Sequence, residues 1–167
     1  MRSVLLAGRT RLPRGCGRAA GRYGEEVAHL LSERDEGWTI ELSGWQVDRC
    51  SFDFQTRLSF LHPQDYRPSG QANIALGSPF SLSLSGSEVV IDPEGPPEAL
   101  SPVLGLLRQT VEGAFFEKSG TLNLTFRGGA HLRCDPDPQY EAWHLVAPDG
   151  VEVICVPGGG EPTTLRP

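Results

Sequence analysis

The chain has 167 residues, 38% hydrophobic and 22% charged, enough for one globular domain with a real core, and no apolar run approaches the ~18 residues of a membrane-spanning helix. Six of its fifteen basic residues, Arg2, Arg9, Arg11, Arg14, Arg18 and Arg22, fall in the first 23 positions, where there is no acid, leaving nine against twenty-one acids, or −12, over residues 24–167. A body of that sign repels nucleic-acid backbones and steers toward a basic protein partner, so nucleic-acid binding by the body and a membrane partner are both excluded.

In chain order, residues 1–36 read as a basic leader whose Gly, Pro and Arg content cannot bury a core, which predicts disorder. Within it, Val27, Leu30 and Leu31 allow a short helix over 24–34. The apolar stretch "VLLA" near the start is shorter than the ~7–15-residue core of a secretory signal, so the expected location is cytoplasmic. Residues 37–42, "GWTIEL", alternate as a strand with Trp38, Ile40 and Leu42 on one face.

A domain over residues 37–160 then reads as two copies of one unit, roughly 45–95 and 109–159. With a shift of 64, "VDRCSFDFQTRLSF" (47–60) lies ungapped over "VEGAFFEKSGTLNL" (111–124), so that Val47 meets Val111, Phe52 meets Phe116 and Leu58 meets Leu122. The same shift brings "GSEVVIDPEG" (86–95) onto "GVEVICVPGG" (150–159). Each copy is a β-meander: Cys50, Phe52 and Phe54 alternate with polar residues, and Leu58 and Phe60 continue the parity after a reversal near Gln55-Thr56, matched by Ser119-Gly120. Ile74 and Leu76 mark a third strand, in the role of Leu132 and Cys134, and "FSLSLS" (80–85) a fourth, beside "YEAWHLV" (140–146). In "EVVI" (88–91) and "EVIC" (152–155) the apolar residues are consecutive, which predicts strands covered on both faces.

The joint, "PPEALSPVLGLLRQ", places Leu100, Val103, Leu104 and Leu107 at the spacing of one α-helical face, with Ser101 as N-cap and Pro102 in the first turn. The fold class is therefore mainly β (β-rich α+β): two antiparallel meanders joined by one α-helix. Their closure as one sheet, a barrel or a sandwich stays open. Residues 161–167 read as a disordered tail.

Chemistry-bearing patterns are sparse. Asp135, Asp137 and Glu141 lack the spacing of a calcium loop, and two prolines interrupt them, so no metal is expected. Asp92, Glu94 and Glu98 ahead of the joint suit a helix dipole better than paired-carboxylate catalysis. "PGGG" (157–160) has no Lys-Ser/Thr ending, there is no G-x-S-x-G, and Cys155 could meet His131 or His144 only through the fold. Cys16, Cys50, Cys134 and Cys155 form no C-x-x-C pair and read as free thiols, and no cofactor is expected. The richest stretch is "DPDPQYEAW" (135–143), from which Asp137, Tyr140, Glu141 and Trp143 are the expected binding residues, because exposed Tyr and Trp dominate interface hot spots.

"GTLNLTF" (120–126), "PDPQYEAW" (136–143) and "VICVPGG" (153–159) together resemble a family of small uncharacterised bacterial proteins, chiefly actinobacterial, over residues 38–159. Members often continue past the double glycine into a short apolar segment ending in Trp, and "GEPTTLRP" departs from that. The resemblance implies no activity. Some relatives look like immunity proteins of secreted toxins, which by analogy implies a small binding protein with a basic protein partner. The alternative expectation is a small-molecule binder or enzyme with its site at the seam between the copies.

Overall fold

A computed structural model describes residues 30–64 and 70–165. Its strands are β1 (Leu31–Arg34), β2 (Gly37–Ile40), β3 (Gln46–Phe52), β4 (Thr56–Leu61), β5 (Gln71–Leu76), β6 (Phe80–Leu84), β7 (Ser87–Ile91), β8 (Val111–Glu117), β9 (Leu122–Phe126), β10 (His131–Cys134), β11 (Trp143–Val146), β12 (Glu152–Ile154) and β13 (Thr163–Leu165). One 3-10 helix, Pro97–Leu106, joins β7 to β8. The strands build two antiparallel sheets, in the orders β1-β2-β8-β9-β10-β6-β7 and β13-β12-β11-β5-β4-β3. Alternate side chains of both sheets, among them Leu58, Ile74 and Leu145 from one and Leu82, Phe116 and Leu124 from the other, share one apolar core. Of the three closures left open by the sequence, this is the sandwich.

Each meander is completed by a hairpin from the other half of the chain. The meander β3-β4-β5 pairs through β5 with β11, placing Ile74 opposite Leu145. The meander β8-β9-β10 pairs through β10 with β6, placing Leu132 opposite Leu82. Register shifts fall between Val47 and Arg49 in one meander and between Val111 and Gly113 in the other, so the extra residues, Asp48 and Glu112, stand 64 apart. Gln46 bridges Thr110, again 64 apart. Around that bridge the bonds interchange under the same shift. Val47 N–H donates to Gln109 O (2.9 Å) as Val111 N–H does to Trp45 O (2.8 Å). Arg108 N–H donates to Val47 O (2.8 Å) as Gly44 N–H does to Val111 O (2.9 Å). The bonds around the bridge are thus reciprocal under the 64-residue shift.

The ungapped match needs one correction. Phe52 pairs with Thr56, whereas Phe116 pairs with Leu122, so past the turn Leu58 corresponds to Leu124 and Thr56 to Leu122. The first reversal, inside the Phe52–Thr56 pair, is residues 53–55, with Thr56 already in β4, and the second, inside the Phe116–Leu122 pair, is residues 117–121, longer by two.

Four further expectations give way. The joint is a 3-10 helix, not an α-helix: with three residues per turn it buries Leu100, Val103 and Leu106 and leaves Leu104 and Leu107 exposed. It begins at Pro97 with no side-chain cap, so Ser101 caps nothing. Residues 31–34 of the suggested N-terminal helix form β1, paired with β2, because Leu31 and Ile40 share a register that extends the sheet, and Leu30 is buried in the core, so the end of the expected disordered leader belongs to the domain; residues 1–29 lie outside the described residues. Residues 163–165 of the expected tail are β13, bonded to β12. Finally, β7 is not covered on both faces: it is the last strand of its sheet, and Val89 and Val90 are exposed. In the 152–155 stretch burial alternates, with Val153 and Cys155 inside.

Gly37 carries β2 against β8. A Cβ there would run into Phe116 O and stand 2.8 Å from Glu117 Cα, neither of which can turn away. Gly86, at φ +83°, has open space around it and suffers only from its backbone conformation. Gly37→Ala is expected to cost about 3 kcal/mol and Gly86→Ala about 1 kcal/mol, read from urea unfolding midpoints.

Candidate functional site

The hairpin exchange gathers four connections at one end of the sandwich: the β3–β4 turn, the β5–β6 link, the segment after β7 and the β10–β11 loop. In the turn, Asp53 Oδ1 accepts the Gln55 N–H (2.8 Å) and Asp53 N–H donates to Gln55 O (3.1 Å), a closure too tight to fold the middle side chain inward. Phe54 is left 82% exposed. Arg57 reaches back over the turn to Asp53 (3.4 Å) and to Gln55 Oε1 (3.2 Å). After β7, Asp92 Oδ1 accepts the Glu94 N–H (3.0 Å) and Asp92 O the Gly95 N–H (3.0 Å), so Asp92 shapes the bend that presents Glu94.

The β10–β11 loop is built on Asp137. Its Oδ1 accepts the N–H groups of Gln139 (2.8 Å) and Tyr140 (2.9 Å), and its carbonyl accepts the Gly158 N–H (2.7 Å). The backbone donor of Gln139, then that of Tyr140, holds the Asp137 carboxyl below the usual carboxylate range. Ala142 O takes the N–H groups of Gly77 (2.9 Å) and Ser78 (3.3 Å), which fastens this loop to the β5–β6 link. Tyr140 emerges 69% exposed, and Glu141 beside it is exposed.

Two shallow grooves result. One, of about 530 Å³, runs between Phe52, Asp53 and Phe54 on one side and Pro93, Glu94 and Leu100 on the other. The second, of about 470 Å³, lies among Phe54, Arg57, Glu94, Tyr140 and Glu141. Phe54 is the ridge between them. The charged groups lining the two are three carboxylates, Asp53, Glu94 and Glu141, and one guanidinium, Arg57.

Of the four expected binding residues, Tyr140 and Glu141 face this surface and Asp137 lies beneath as the loop's cap. Trp143 does not reach it. Its ring is buried 5.4 Å from that of Phe116, and its Nε1–H donates to Gly120 O (2.8 Å), satisfying the indole inside the core. Phe52 and Phe54, expected on a half-buried face, are exposed instead, and with Asp53, Arg57 and Glu94 they are the site residues that strand alternation hides. A gap placed in the turn alignment would have moved Phe54 out of the strand.

The remaining polar groups are engaged elsewhere. Asp135 accepts from Thr121 Oγ1 (3.0 Å) and Arg133 (2.8 Å), and His144 Nε2 lies 3.0 Å from Glu152. Cys155 Sγ donates to Gly120 O (3.4 Å), and burial pushes its thiol pKa up. Burial, then the neighbouring Cys155, pushes Cys134 up to about 12. Among the described residues, no three His, Cys, Asp or Glu side chains are grouped to hold a metal ion. At the seams between the halves, Ile74 and Leu145, and Leu82 and Leu132, are fully buried against one another's strands.

The chain belongs to a family of unknown function (DUF6188), which matches residues 38–162. No curated protein and no solved structure matches it.

The site residues and their buried counterparts separate in a stability measurement. Phe54→Ala is expected to change unfolding free energy by less than about 0.5 kcal/mol, whereas Phe116→Ala, in the core, costs about 4 kcal/mol; chemical denaturation measures both. A thiol reagent at pH 8 is expected to leave Cys134 and Cys155 unmodified in the folded protein and to label both in denaturant, because the reactive thiolate is scarce and buried. Mass mapping of labelled peptides reads this out.

Proposed function

We propose that the chain is a small binding protein that engages a basic protein partner through the end carrying Phe54, Tyr140, Asp53, Glu94 and Glu141, in the manner of an immunity protein with its toxin. The observation that carries this reading is Phe54: a large apolar ring 82% exposed on a turn that is rigidly hydrogen-bonded, rimmed by carboxylates. Exposed aromatics on a fixed backbone lose little entropy on docking, and burying one contributes about 2–3 kcal/mol. The carboxylates add long-range attraction for a basic surface and face its Lys or Arg side chains, which also stack on Phe and Tyr rings. The −12 balance of residues 24–167 acts in the same direction.

Kinship with actinobacterial proteins and the immunity-like role rest on the resemblance of "PDPQYEAW" and "VICVPGG". We read the 64-residue correspondence of bulges and bridge bonds as the trace of a duplicated unit, and the location of this chain as cytoplasmic. A small-molecule site at the seam would need space where Ile74, Leu82, Leu132 and Leu145 now stand.

The test is affinity capture from the source cells with the wild-type chain and with Phe54→Ser/Glu94→Lys/Glu141→Lys. The expected result is a basic protein recovered by the first and lost by the second, with association slowing about tenfold between low and physiological salt. A partner retained by the triple variant would remove this surface from the reading.

A further inference from the structure

The matching registers of β3 and β8 make Phe52 and Phe116 counterparts. Phe52 and Phe116 occupy equivalent places, each in the last pairing before its turn. Phe116 is buried, because β2 lies alongside β8 and sets Trp38 opposite it, the two rings stacked at 5.1 Å and 19°. Phe52 is 38% exposed, because β3 is the last strand of its sheet among the described residues. Among the described residues, what β8 has and β3 lacks is a neighbouring strand.

We infer that β3 is a strand acceptor: an extended basic segment of the partner adds to its edge over residues 50–53, in the position β2 holds against β8. The inference rests on the partner-binding reading above and names how that partner is held.

Three observations support it. First, the backbone groups point the right way. Trp38 pairs with Phe116 and Lys118 N–H donates to Glu36 O (2.9 Å), so on β8 the groups turned toward β2 belong to every second residue, including Phe116. On both strands the residue before the bulge, Val47 or Val111, turns its groups to the same outer side, and each bulge shifts the alternation by one. Phe52 and Cys50 therefore present their N–H and C=O outward. Second, there is room. The 3-10 helix touches β3 at Cys50, whose Sγ lies 3.8 Å from Val103 O, but beside residues 52–54 the 530 Å³ groove separates it from the strand. Third, the groove chooses its occupant by charge and shape. Glu94 and Asp53, the latter shared with Arg57 at 3.4 Å, flank it with Glu141 beyond, a net acidic rim, and Phe52, Pro93 and Leu100 line it, which suits a strand with lysine or arginine at its ends and an aromatic residue opposite Phe52.

The probe is a synthetic peptide carrying residues 37–42, β2 and the two that follow it, as Gly-Trp-Thr-Ile-Lys-Leu, with lysine in place of Glu41 and one lysine added at each end. Its control is the same peptide methylated on the tryptophan backbone nitrogen. Both are titrated into the unaltered full chain, with amide hydrogen exchange as readout. The expected result is slowed exchange at Cys50 and Phe52, binding at least about tenfold weaker for the methylated peptide, and a similar loss with Phe52→Ala. Equal binding of the two peptides, slowed exchange at Glu88–Val90 instead, or no binding up to about 1 mM peptide would each overturn strand addition. Residues 50 and 52 already protected without peptide, and exposed on dilution or on deletion of residues 1–29, would assign the edge to a second copy or to the chain's own leader and also overturn it. In all of these cases capture of the partner through Phe54 and Glu94 stands or falls separately.

Discussion

Two antiparallel pairings, β5 with β11 and β10 with β6, decide where everything else in the domain lies. Each joins strands from different halves of the chain. Backbone groups buried in a sheet must be satisfied, and neither meander has a partner of its own for its third strand. Taking the other half's hairpin satisfies it, and the same exchange brings the β10–β11 loop beside the β3–β4 turn and the segment after β7. The aromatic, acidic end is thus a by-product of sheet completion. Its ridge residue is held by a two-residue turn closure, and its second aromatic by the Asp137 carboxylate.

The two halves differ most at their edges. In the second half both exposed margins are covered: β2 lies on β8 and β13 on β12. In the first half β3 and β7 are last in their sheets among the described residues. The residues follow suit. Phe116 is packed where Phe52 is half open, and Val153 is buried where Val89, 64 positions earlier, is exposed. Open edges invite unwanted pairing, and short strands and charged side chains are the usual protection. β7 has five residues and carries Glu88, and β3 carries Asp48 and Arg49. The exposed Phe52 and Phe54 lie on this less finished half, where apolar groups are left uncovered.

Most of the β architecture was legible because its signal is local. Leu58, Phe60, Ile74, Leu76, Leu124, Leu132 and Cys134 all face the core at the period-two positions that alternation assigns them. The 64-residue shift relates the two bulges and the bonds around the Gln46–Thr110 bridge, and it fails past the turns, where Leu58 corresponds to Leu124. What escaped depends on neighbours that alternation cannot see. Leu104 looks like a core residue at α-helical spacing, yet two prolines and a three-residue period turn it outward. Val90 reads as buried until β7 is known to be an edge. Trp143 and Tyr140 lie three residues apart in one polar stretch, and only the fold separates an indole bonded to Gly120 O from a ring in solvent. The candidate site was half visible: Tyr140 and Glu141 stood out by composition, while Phe54 and Glu94 become neighbours only when distant connections meet.

The helix at Pro97–Leu106 is the only covalent tie between the halves in the described chain, and the exchange of hairpins makes it almost incidental to cohesion. A chain severed there would yield two pieces, each with an unfilled slot shaped for the other's hairpin, and their reunion would obey the law of a dimer. Stability here is an affinity, expressed within one molecule and so freed from dilution.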